Sequence, residues 1–67
     1  MAKIQLNGKK ITIKSKISLL DLTKKYKLDI KKIAIELNGK IVPKINYKNK
    51  SLKDKDVIEI VHFIGGG

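Results

Sequence analysis

The apolar positions of this 67-residue chain fall into two spacings. Near the start they alternate with polar ones: Ile4 and Leu6 with Lys3 and Gln5, then Ile11 and Ile13 with Lys10, Thr12 and Lys14, the two runs separated by Asn7-Gly8. A period of two lines one face of a strand, and Asn-Gly supplies the left-handed residues of a tight turn, so a β-hairpin is predicted. The pattern returns in Ile33-Ala34-Ile35-Glu36-Leu37, Asn38-Gly39 and Lys40-Ile41-Val42, where Pro43 ends the ladder for want of an amide proton. Between the hairpins Ser18 and Asp21 fit the S-x-x-D capping pattern that opens a helix. Leu19, Leu22, Thr23 and Tyr26 then share a helical face to lay on the sheet, with Lys24, Lys25 and Lys27 opposite. Leu28 and Ile30 are expected to close the core below that helix.

Residues 44 to 56 follow neither spacing. Ile45 and Tyr47 are the expected core anchors of this irregular stretch, followed by Leu52 and by Lys53-Asp54-Lys55-Asp56, which reads as a solvated turn. The final run, Val57 to Ile64, alternates again. Glu59 marks its solvent side, so Ile58 and Ile60 should meet the helix while Val57, Glu59, Val61 and Phe63 look outward. With one helix to cover one face, this outward row is expected to dock a partner through Glu59, Val61 and Phe63. The order is β-β-α-β-β-β: an α+β unit with a mixed sheet of four to five strands and one main helix packed on one face. This is the order of the ubiquitin-like β-grasp fold. The expected division is a domain over 1–64 and a flexible glycine tail over 65–67.

Sixteen lysines and no arginine give a formal charge of +10. Clustered cations favour nucleic acid, but guanidinium is the usual tool for bidentate phosphate or base recognition, and these lysines are spread through the chain. Twelve isoleucines and four asparagines point to a bias in residue usage, so a solvated basic surface is expected and nucleic acid is not the expected partner. The absence of cysteine excludes a disulfide, a thiolate nucleophile and a thiolate metal site. A reducing cytoplasm is the expected compartment. The N-terminal run already alternates and no stretch is apolar for long enough to span a bilayer, so neither export nor a membrane is expected.

The internal residues are chemically quiet. His62 is the only histidine, and one imidazole with no thiol or paired carboxylates makes neither a triad nor a metal site. Asp54 and Asp56 lie between lysines in a turn, and no phosphate-binding glycine pattern surrounds either Asn-Gly pair. Attention moves to Gly65-Gly66-Gly67. A glycine backbone is thin enough to thread a narrow channel and present its last carbonyl unhindered. Activated by adenylation in another protein's ATP site, such a carboxylate becomes open to a sulfur or nitrogen nucleophile.

Asn38-Gly39-Lys40-Ile41-Val42-Pro43, with the run from Leu52 through Asp54, Asp56 and Val57-Ile58-Glu59-Ile60-Val61-His62-Phe63-Ile64 to Gly67, resembles the ThiS family of sulfur carriers of thiamine biosynthesis. The resemblance covers essentially the whole chain. It implies that the protein is a carrier rather than an enzyme and binds no cofactor of its own, ATP being used by the partner. An E1-like adenylating enzyme (ThiF) would adenylate Gly67, sulfur from a cysteine desulfurase would convert it to a thiocarboxylate, and thiazole synthase (ThiG) would accept the sulfur. By position Gly66 and Gly67 match the family's terminal pair, Gly67 being the group modified, while Gly65 and Gly66 thread the partner's active site. Two other readings share the fold: an RNA-binding module like the TGS domains of some tRNA synthetases, and a sulfur carrier for molybdopterin or tRNA thiolation.

Overall fold

The computed structural model describes residues 1–63. Its strands are β1 (Ala2–Leu6), β2 (Lys9–Ile13), β3 (Ile33–Leu37), β4 (Lys40–Ile41) and β5 (Val57–His62), with one α-helix, α1 (Leu19–Lys25), between the hairpins. They form one sheet in the order β2-β1-β5-β3-β4. Both hairpins are present, joined through Asn7-Gly8 and Asn38-Gly39, whose four residues all have positive φ (49°, 83°, 53° and 86°). That is the geometry which matches the twist of two-residue hairpins. A Cβ on Gly8 or Gly39 would meet nothing within 4 Å, so backbone conformation rather than crowding calls for glycine.

β5 lies in the middle, parallel to β1 through Gln5↔Val57 and Leu6↔Ile58, and antiparallel to β3 from Ile33↔His62 to Leu37↔Ile58. The two Asn-Gly turns also hold it by side chain. Asn38 Oδ1 accepts from the Val57 amide at 2.8 Å, and Asn7 Oδ1 accepts from the Ile60 amide at 2.7 Å. Asp56, expected in a solvated turn, is instead buried. Its carboxylate accepts from Asn38 Nδ2 at 3.1 Å and from the Lys53 amide at 2.9 Å, which closes the turn and anchors the start of β5 to the second hairpin.

α1 opens with the expected capping box: the Asp21 amide donates to Ser18 Oγ and the Ser18 amide to Asp21 Oδ2, each at 3.0 Å. Donation from the Ser18 amide, and secondly from the Ser18 hydroxyl, holds the Asp21 carboxyl below its ordinary range. The helix closes early. The Leu28 amide donates to the Thr23 carbonyl at 2.9 Å and the Lys27 amide to the Lys24 carbonyl at 3.1 Å, with Lys27 at φ 56°. Tyr26 consequently sits at the cap and is 42% exposed, contrary to its expected place on the buried face. Leu19, Leu22 and Thr23 do reach the core, with Leu20, Leu28 and Ile30 packed at its margin.

Residues 44–49 are not irregular but form a 3-10 helix, Lys44–Asn49. With three residues per turn, positions two apart cannot both face inward. Tyr47 takes the core position at 1% exposure, and Ile45 is 78% exposed, which corrects its expected role as an anchor. Leu52 is buried as expected, its amide bonded to the Ile17 carbonyl at 2.7 Å. The core therefore lies between α1, this 3-10 helix and the inward residues Ile4, Ile13, Ile33, Ile35, Ile58 and Ile60.

Replacing Asp56 with Ala is expected to lower stability by about 2 kcal/mol in urea unfolding, because two donors lose a charged acceptor in a buried site. Burial raises the Tyr47 phenol above its ordinary 10.0, a shift partly offset by a hydrogen bond with the Ile35 backbone. A raised folded value means that this contribution is complete below 10.0 and disappears as pH climbs through the folded value. As pH rises from 10.0 through the folded value, the melting temperature should thus fall more steeply for the native chain than for Tyr47→Phe.

Candidate functional site

Alternation along β5 separates two tasks. Ile58 and Ile60 are 0% and 8% exposed against the core, whereas Val57, Val61 and Phe63 are 38%, 55% and 52% exposed on the other face, with Glu59 exposed between them. The expected partition of this strand is present. Glu59, Val61 and Phe63, the expected docking residues, lie along one row that leads to the end of the described chain. Gly65, Gly66 and Gly67, expected to thread and carry the reacting carboxylate, lie outside the described residues.

Neighbouring strands widen the row into a face. Ala34 pairs with Val61, and Glu36 stands between Glu59 on β5 and Ile41 on β4. Ile41 is 64% exposed. Two glutamates directly opposite one another repel, a cost that folding alone does not require. All four aspartates accept hydrogen bonds from the chain's own backbone: Asp21 from Ser18, Asp29 from Lys31, Asp54 from Lys3 and Asp56 from Lys53. Glu36 and Glu59, the remaining two of the six acids, accept none among the described residues.

The end of the row is held in place. The Phe63 amide donates to the Lys32 carbonyl at 2.8 Å, and Lys44 Nζ sits over the Phe63 ring, 5.6 Å from its centroid. An exposed cation–π contact contributes about 0.5 to 1 kcal/mol, enough to orient the ring without hiding it. Sequence reasoning missed Glu36, Ile41 and Lys44, since each reaches the face only through strand pairing or a distant contact. Outward parity in β3 was the one available signal for Glu36.

Among the described residues no group of three or more His, Cys, Asp or Glu could hold a metal ion. A groove between the second hairpin and the 3-10 helix is lined by Leu37, Asn38, Ile41, Pro43, Asn46 and Lys50, among others, with no carboxylate, imidazole, hydroxyl or thiol in its lining. His62 is exposed at the end of β5. Among the described residues no helix is long and apolar enough to cross a membrane.

A β-grasp sheet whose last strand carries an exposed apolar row, in a sequence that continues to three glycines, is the arrangement of this site. The model of the ThiS family matches residues 3–67, nearly the whole chain. The chain belongs to the ThiS family. Among its relatives is the sulfur carrier protein ThiS of Bacillus subtilis (strain 168), 45% identical over 65 residues that cover 96% of this chain and 98% of that protein. A thiazole synthase of Paramagnetospirillum magneticum is 37% identical over 65 residues, covering 97% of this chain but 20% of that longer protein. The crystal structure of a thiamine biosynthesis protein (ThiS) from Geobacter metallireducens superimposes with a TM-score of 0.84 at 26% identity, covering 97% of this chain and 99% of that one. The ubiquitin-like β-grasp assignment is thereby established for this ThiS-family chain.

The opposed glutamates make a direct prediction. Glu36→Gln should raise stability by roughly 0.2 to 1 kcal/mol in urea unfolding at neutral pH, with the gain shrinking at high salt.

Proposed function

We propose that this protein is the sulfur carrier of a thiamine pathway, a protein co-substrate that partner enzymes activate at Gly67. The observation that carries the reading is the family match, which runs through residue 67 and so includes the terminal glycines. The ThiS relative from Bacillus subtilis, similar along nearly its whole length, supports the carrier role. Similarity to part of a thiazole synthase supports that enzyme as the sulfur acceptor.

The chemistry follows from the terminus. An E1-like adenylating enzyme joins the Gly67 carboxylate to the α-phosphoryl of ATP and releases pyrophosphate. The mixed anhydride is a far better electrophile than a carboxylate, because AMP is a good leaving group. A persulfide supplied through a cysteine desulfurase attacks the carbonyl carbon and AMP departs; a thiol then cleaves the S–S bond of the acyl persulfide, which leaves the thiocarboxylate and a disulfide. Thiazole synthase takes that sulfur and returns the carboxylate. The β-grasp domain over 1–64 contributes shape, the glycines over 65–67 contribute reach, and the catalytic groups belong to the partners. A cytoplasmic setting, where ATP and reduced sulfur are at hand, suits this cycle.

Docking falls to the outer row of β5. Val61 and Phe63 present apolar surface just upstream of the tail, and Glu59 adds charge that discriminates among partners. The surrounding lysine-rich surface tunes encounter with acidic partners rather than the chemistry itself.

Deleting Gly67, or adding one residue after it, should abolish thiazole formation in a reconstituted assay while leaving the thermal melt unchanged. Thiazole formation at the native rate by the extended chain would overturn the reading. Phe63→Ala should weaken adenylation by about 1 to 2 kcal/mol in apparent affinity with a smaller loss of stability. A variant that unfolds before binding suffers would place Phe63 among the core residues instead.

A further inference from the structure

We infer that the half of β5 nearest the tail accepts an extended backbone segment of the enzyme that takes up Gly67, the segment adding as a new strand in line with β1. This rests on the carrier reading above and concerns how the partner is held.

A count of backbone groups leads there. The odd-numbered residues of β5 bond toward β3: the Asn38 amide donates to the Val57 carbonyl at 2.7 Å, and the Phe63 amide to the Lys32 carbonyl at 2.8 Å. In such a ladder the even-numbered residues turn their amide and carbonyl the other way. Toward β1 the Gln5 amide donates to the Asp56 carbonyl and the Asn7 amide to the Ile58 carbonyl, each at 2.9 Å. There β1 ends, because the chain turns at Asn7-Gly8 into β2. The Asn7 side chain takes one further donor, the Ile60 amide. Beyond it the Ile60 carbonyl and both the amide and the carbonyl of His62 have no partner among the described residues.

An acceptor, a donor and an acceptor in a row at strand spacing match another extended backbone. Proteins usually guard such an edge with lysine, proline or a bulge. The outer strands of this sheet are guarded so: β2 begins Lys9-Lys10, and β4 carries Lys40 and runs into Pro43. The last of the sixteen lysines is Lys55, and from Asp56 to Gly67 there is neither lysine nor proline. The edge beside β5 is thus left open in a sheet whose two outer strands both carry lysine.

Its occupant follows from the distance to the reacting end. Ile64 to Gly67 follow Phe63. At about 3.3 Å per residue these four residues reach ~13 Å. An enzyme that handles the Gly67 carboxylate must therefore bring its surface against this end of β5, which sets one of its segments beside the open groups of Ile60 and His62.

The test is amide hydrogen exchange, read by NMR on the ¹⁵N-labelled full chain, alone and saturated with thiazole synthase. The His62 amide, unprotected alone, should exchange at least roughly tenfold more slowly in the complex. A chemically synthesised chain with an N-methyl group on the His62 amide should melt as the native chain does yet bind the enzyme at least tenfold more weakly. A complex that forms and transfers sulfur while His62 exchanges at its free rate overturns the strand addition alone. Failure of any complex to form overturns it together with the carrier reading. Protection of His62 in the chain by itself, accompanied by dimers in sedimentation, assigns the edge to a second copy and likewise overturns the proposal.

Discussion

The structure depends on one constraint: the last strand of the chain is the central strand of the sheet. β5 joins β1 in parallel and β3 in antiparallel fashion, so neither hairpin belongs to a common sheet until β5 is seated between them. Its position is specified at the N-terminal end by side chains rather than by ladder bonds alone. Asp56 gathers Asn38 and the Lys53 amide, Asn38 returns a bond to Val57, and Asn7 reaches Ile60 from the other side. The two asparagines that make the tight turns possible are also the ones that align the central strand. A one-residue slip would break these bonds and move Ile58 and Ile60 out of the core.

From that placement come the two faces. Even positions of β5 complete a core that a chain of this size can scarcely do without, and odd positions leave valine, glutamate and phenylalanine on a face no helix covers. The described chain ends at Phe63, beside this face, at the end of the strand that stands in the middle of the sheet. Bonds from Phe63 to Lys32 and the Lys44 contact keep the strand ordered up to the last described residue.

Much of this was legible in the residues. Each Asn-Gly pair states its turn, Ser18 and Asp21 state the helix start, and the alternation of Ile58, Glu59, Ile60 and Val61 states which side of the last strand is buried. These are local signals with periods or spacings of their own. What the pattern could not convey was set by tertiary geometry. Tyr47 and Ile45 look alike to a hydropathy reading, and the 3-10 twist lets only one of them inward. Tyr26 continues the helical spacing, but the closure at Lys27 ends the helix before its ring can turn to the core. Asp56 resembles its exposed neighbour Asp54 until Asn38 arrives from eighteen positions away. The pairing of Glu36 with Glu59 depends on strand order. At the candidate site the outward row of β5 was legible from parity, whereas its flanking residues and the open edge beside it were not.

The central claim is that the working group of this protein is its own last carboxyl. The most direct measurement is the intact mass of the chain after incubation with ATP, an adenylating enzyme of the family, a cysteine desulfurase and cysteine. A gain equal to one sulfur in place of one oxygen, located to Gly67 by fragmentation, is the predicted result. An unchanged mass in a mixture shown to be active on another ThiS protein would contradict the account.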